Sequence, residues 1–186
     1  MMDNSKEATR TRIDIKKTTI GTILAVVGAV ALPQLLHVFG AVTGLGTLPG
    51  ETYLPMHLPV MLAGFLAGPA CGFITGALSP VVSAALTGMP APAMMPFMVV
   101  ELAGYGLAAG LLKNDDDSAP VICAKVFAVQ FAGRAARAVA ILIAFYGLGM
   151  TAIAPPVIWN SVIAGIPGMI IQLVLIPVIM VSVNRK

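Results

Sequence analysis

The chain has 186 residues, 58% of them hydrophobic and only 10% charged, with a mean hydropathy of +0.95 and a formal charge of +3. An average soluble domain carries about 25% charged residues, so an ordinary water-soluble globule is excluded. One membrane span takes about 20 apolar residues, and filling the chain with spans leaves no aqueous remainder the size of a catalytic or nucleotide-binding domain. The positive charge does not point to nucleic acid, because all of it except Arg134 and Arg137 sits in flanks of the apolar runs. Lys6, Arg10, Arg12, Lys16 and Lys17 precede the first apolar run, Lys113 and Lys125 bracket a polar break, and Arg185 and Lys186 end the sequence.

Taken in order, residues 1–17 read as a cytoplasmic N-terminal tail and 18–186 as one all-α polytopic membrane domain of six helices. The first span is expected at about 18–38. It keeps Pro33 and His37 near its end and has no clear small-residue cleavage site, so it reads as a retained anchor rather than a signal peptide. Its Gly21-x-x-x-Ala25-x-x-x-Ala29 stripe lets another helix backbone approach closely, in a partner or in the same chain. Glycines 40, 44, 46 and 50 with Pro49 then mark a long loop.

Between Tyr53 and Leu112 the only charged residue is Glu101, so turn chemistry divides this stretch. Breaks at Gly68-Pro69 and Met89-Pro90-Ala91-Pro92 give spans at roughly 53–68, 70–87 and 93–112. Gly64, Gly68, Gly72 and Gly76 predict close packing of the hairpin formed by the first two of these. Lys113 to Ser118 form a polar loop with three adjacent aspartates, read as solvated. A fifth span follows at about 120–147 and a sixth at about 156–183, separated by Gly147, Gly149, Pro155 and Pro156.

An even number of spans puts both basic ends on one side, and the positive-inside rule makes that side cytoplasmic. Segments 39–52, 88–92 and 148–155 then face outward without a single Lys or Arg. Cys71 and Cys123 fall near the cytoplasmic face, where two reduced thiols are expected.

Ionisable groups inside apolar segments are costly and mark cavities or partners. Three qualify: Glu101 in the fourth span, and Arg134 and Arg137 in the fifth. Gln130, Arg134 and Arg137 share one helical face. Counted from the outer ends of their spans, Glu101 and Arg137 lie at similar depth. Either they form a structural pair between helices, or they floor a polar cavity in which the second arginine is left for an anionic or acceptor-rich ligand. Tyr105 lies one turn after Glu101, and Trp159-Asn160 opens the sixth span, so these residues frame the same region. His37 and His57 flank the first outer loop without a metal-binding spacing and read as loop polarity; no metal site is expected. Gln172 is expected to hydrogen-bond between helices. Neither a Gly-x-Ser-x-Gly elbow nor a phosphate-binding G-x-x-x-x-G-K-[ST] loop is present.

With these residues in view, the sequence resembles the substrate-binding S components of energy-coupling factor (ECF) vitamin transporters over nearly its whole length. The resemblance is carried by Ala25-x-x-x-Ala29, His57-Leu58-Pro59-Val60 with Gly68-Pro69, Leu86-Thr87-Gly88-Met89-Pro90, Glu101 to Gly106, Gly133-Arg134, and Gly165 to Gly168 followed by Gln172. It implies a multi-pass protein of the bacterial plasma membrane that captures a vitamin or precursor from outside. The ligand passes to an energising module of a transmembrane T subunit and two ABC ATPases. The chain itself would be no enzyme and carry no cofactor, ATP being used by the partners.

The resemblance assigns Gly21, Ala25 and Ala29 to the T-subunit interface. Substrate would be held by Glu101, Tyr105, Gln130, Arg134, Arg137, Trp159 and Asn160 with the segment 43–53. It leaves open a small pyrimidine or pyridine compound or a carboxylate vitamin. The competing readings are an intramembrane enzyme acting on a lipid or small polar substrate, and a solitary permease.

Overall fold

The computed structural model describes the backbone of residues 2–184 and the side chains of residues 19–183. Every regular element among the described residues is helical, in the order α1 (Met2–Thr43), α2 (Leu48–Tyr53), α3 (His57–Ala67), α4 (Pro69–Thr87), α5 (Met95–Leu111), α6 (Ala119–Leu142), α7 (Pro156–Ala164) and α8 (Ile166–Asn184). A π-helical turn, Ile143–Gly147, prolongs α6. The charged segment read as a separate tail continues into α1, whose side chains before Thr19 lie outside the described residues.

Among the described residues four stretches are long and apolar enough to cross a membrane: Thr19–Thr43, Pro69–Thr87, Ala119–Gly147 and Ile166–Val183. The other two expected spans are shorter. At 17 residues α5 reaches about 25 Å, and at 11 residues α3 reaches about 16 Å, against a hydrocarbon core of about 30 Å. The reason lies in the sequence. Leu54, in a left-handed conformation with φ of 49°, ends α2, so 54–56 is a turn rather than the start of a span. Gly68, with φ of 91°, turns α3 directly into α4, where Pro69 at the first position needs no donor.

Large apolar side chains such as Leu24, Leu35, Val42 and Phe131 point outward on helices of this hydropathy, as in a protein solvated by lipid. Inside, Val60, Met61, Phe65, Leu102, Tyr105, Val126, Val129, Ile176 and Met180 form the main core. The tightest seam joins α4 to α5. A Cβ on Gly106 would overlap the Gly72 carbonyl, and one on Gly76 would overlap the backbone at Leu102. The four-residue glycine stripe therefore seats both α3 and α4 on α5, which extends the hairpin packing expected from it.

The stripe on α1 also turns inward. Ala29 is fully buried in the core, and Gly21 faces Ala67 and Cys71, so these two pack against neighbours in the same chain; Ala25 is half-buried. Small residues allow close approach without choosing the partner, and here the α3–α4 pair occupies the space. At the far end of the molecule, Lys125 donates to the Leu112 carbonyl and to Asp117, fastening the loop between α5 and α6. Both cysteines are free thiols.

Candidate functional site

The expected sixth span is broken where α7 meets α8, at Gly165-Ile166-Pro167-Gly168. Across the break the Gly165 backbone N–H still donates to the Ser161 carbonyl at 3.2 Å. Arg134 on α6 is a second donor to that oxygen, from Nη1 at 3.3 Å. A side chain at Gly165 would crowd the Arg134 guanidinium, its Cβ only 2.7 Å from Nη2. The break thus makes room for a buried cation between α6 and α7.

That cation belongs to a cluster around Glu101, which is 1% exposed. Arg137 Nη1 donates to Glu101 Oε2 at 2.8 Å, and Arg134 Nη1 lies 4.0 Å from Oε1. On the other side Tyr105 donates its hydroxyl to Oε1 at 3.5 Å, and His57 Nε2 lies 3.7 Å from the same oxygen. The His57 and Tyr105 rings meet edge to face with centroids 5.1 Å apart. Helices α3, α5 and α6 therefore each bring a polar group to one point, two guanidinium groups facing a single carboxylate.

Above this cluster lies a cavity of about 550 Å³. Glu101, His57 and Arg137 reach it from below, Pro33 and His37 from α1, Thr47 to Leu54 from α2 and its flanks, and Asn160 and Ser161 from α7. Ser83 and the turn at Met89-Pro90-Ala91 close the remaining side. The C-terminal parts of α1, α4 and α6 and the N-terminal parts of α3, α5 and α7 meet here, at the end opposite the Lys113–Asp117 loop. The α2 cover is fastened by Gln172, whose Nε2 donates to the Leu54 carbonyl at 3.3 Å. Gln130 Nε2 in turn donates to Gln172 Oε1 at 3.1 Å, so the interhelical role expected of Gln172 is present.

Of the residues singled out in the sequence, Glu101, Arg137 and Asn160 line the cavity, as does the segment 47–51 at Thr47, Gly50 and Glu51. Arg134 and Tyr105 stand behind the floor, in contact with Glu101 rather than with the cavity. Gln130 also lies outside the lining, turned to Met169 and Gln172 on α8. Trp159 is 70% exposed and points away, because adjacent residues on a helix diverge by about 100° and Asn160 takes the inward direction. Among the described residues no three His, Cys, Asp or Glu side chains come together in a metal-binding group.

A family model described as ECF transporter, substrate-specific component, matches residues 16–180. The chain belongs to this family. No curated protein and no solved structure matches the chain at a significant level. As an ECF S component the chain is a substrate-binding membrane protein of a transporter, not an enzyme, and the family associates with a T subunit and ATPases. The reading as an intramembrane enzyme falls with that assignment.

Several cavity residues of this S component escaped the sequence reading. His57, 4% exposed and in reach of Glu101, reads from sequence as loop polarity because a lone histidine beside a turn carries no spacing signal. Met56, Met89, Met94 and Met98 all line the cavity. The crowding of three of them, with Met95, between positions 89 and 98 beside the Pro90-Ala91-Pro92 turn is a visible clue to a flexible apolar wall.

Proposed function

We propose that this S component captures a vitamin or vitamin precursor from the outside of the bacterial plasma membrane in the cavity above Glu101. It then delivers the ligand to a T subunit and two ABC ATPases. The observation that carries the reading is the Glu101–Arg137 pair at the floor of a cavity built from the meeting ends of six helical segments. Buried charge inside a membrane domain needs a purpose, and a binding floor supplies one. ATP is consumed on the partner subunits, and the chain needs no cofactor of its own.

In this reading the chain crosses six times, through α1, α3, α4, α5, α6 and the α7–α8 pair, with both termini cytoplasmic. Charge supports that direction: Lys113 and Lys125 lie at the end opposite the cavity, and segments 44–56, 88–94 and 148–155 at the cavity end carry no Lys or Arg. The short α3 crosses with its upper end covered by α2. Ala25, half-buried beside exposed Leu24 and Val27, is the member of the α1 stripe left to meet the T subunit.

The test is a thermal-shift screen of the detergent-purified chain against vitamins and precursors, since a ligand of the folded state raises stability by RT ln(1 + [L]/Kd). One compound is expected to raise the melting temperature well above the others. Coexpression with a T subunit and two ATPases is expected to yield a complex. Failure of both would refute the proposal.

A further inference from the structure

The charges at the cavity floor do not balance. Arg134, Arg137 and Glu101 sum to one positive charge with His57 neutral, and a protonated His57 would add to the same sign. Among the described residues no second acid lies within ion-pair reach of either arginine. Glu51, the other acid of the cavity, is exposed to solvent and accepts a hydrogen bond from Thr47 at 2.9 Å, so water screens its charge and it does not neutralise the buried floor. An uncompensated charge in a buried site is costly, so the floor favours a ligand bringing one negative charge.

The hydrogen-bond inventory leans the same way. Arg137 Nη2 has only the Met94 thioether, at 3.3 Å, a weak acceptor that a ligand oxygen would displace. Arg137 Nε and both nitrogens of His57 are buried without a hydrogen-bond partner. The walls limit the rest of the ligand. Met56, Met89, Met94 and Met98, with Leu54 and Val157, surround the space, and no Phe, Tyr or Trp is among the lining residues. Methionines adapt to irregular aliphatic shapes, whereas a flat ring would find only the small imidazoles of His37 and His57 to stack on.

We infer that the substrate is a small monocarboxylate with a non-aromatic body, its carboxylate on Arg137 and His57 and its body among the four methionines. The inference rests on the cavity being the substrate site. A phosphate ester, as a dianion, exceeds the single positive charge available. An aromatic cation adds to that charge. Asn160 is left to read a hydroxyl or amide on the body.

The experiment is calorimetric titration of the full chain in detergent with matched acids and uncharged analogues: pantothenate and panthenol, biotin and biotinamide, lipoate and lipoamide, nicotinate and nicotinamide. Thiamine and riboflavin serve as aromatic probes. One aliphatic acid is expected to bind, with its analogue about 10–100-fold weaker, the span of one charge-assisted hydrogen bond. Arg137→Gln is expected to remove that preference, and the acid-to-analogue comparison on the unaltered chain stands even where this variant misfolds. A tightest binder that is uncharged or aromatic overturns the inference, as does no binding of any acid at about 1 mM.

Asn160→Trp, at an exposed cavity position, separates the two levels of failure. If it abolishes binding of an uncharged or aromatic ligand, the cavity stands and the monocarboxylate falls. If it leaves binding of any ligand intact, the cavity itself is wrong and the inference falls with it.

Discussion

The α4–α5 seam and the Glu101 floor lie on the same helix, about one turn apart, and are held together in opposite ways. At the seam Gly72, Gly76 and Gly106 bring backbones into direct contact, with no polar side chain needed. At the floor Glu101 draws in His57, Arg134 and Arg137, and buried nitrogens of all three lack hydrogen-bond partners. Close packing of small residues is a complete solution that asks nothing of a ligand. A polar cluster with spare donors is an incomplete one, and incompleteness at a cavity is what a binding site requires. One stretch of α5 thus serves as scaffold on one face and as recognition element on the other.

Substitutions break this comparison at either end. The largest effect is expected at the seam, where Gly106→Val drives a side chain into the Gly72 backbone. Overpacking costs about 1–3 kcal/mol where side chains yield, and backbone yields less, so loss of monodisperse protein in size-exclusion chromatography is expected. Glu101→Ala comes next. It leaves two buried guanidinium groups without their carboxylate, which costs about 3–5 kcal/mol and is read as a lower melting temperature in a chain that still inserts.

Gln172→Leu cuts the link from Gln130 through Gln172 to the Leu54 carbonyl. About 0.6–1.7 kcal/mol is expected for such a contact in a membrane protein, with faster hydrogen exchange confined to the segment 50–57. The smallest effect is at Trp159. Pointing outward, it tolerates Trp159→Ala within about 0.5 kcal/mol, with ligand affinity unchanged by calorimetry.

The same contrast separates what the sequence reveals from what it hides. Glu101, Arg134 and Arg137 are legible because charge in an apolar run stands out, and the similar depths of Glu101 and Arg137 already match those two. Gln130 shares their helical face but sits seven residues below Arg137, about 10 Å further from the cavity. A face fixes direction and says nothing of depth, so Gln130 ends at α8. Trp159 and Asn160 are neighbours, and helical geometry lets only one of them face inward. The α1 stripe advertised a close contact without naming its partner. His57 and the methionines are neutral residues whose role exists only once α3, α5 and the 89–94 turn are brought together. Helix composition was plain throughout, whereas the short reach of α3 depended on a single left-handed residue, Leu54.

The most direct test of the cavity as the substrate site uses Asn160 and Trp159 as a matched pair. Each is replaced by cysteine in the full chain, and the rate of maleimide labelling is measured with and without the compound giving the largest thermal shift. The account predicts that ligand slows labelling of Asn160→Cys at least about 10-fold, as expected for occupancy near 90% or above, while Trp159→Cys labels at the same rate in both. Equal labelling of Asn160→Cys with and without saturating ligand would contradict it.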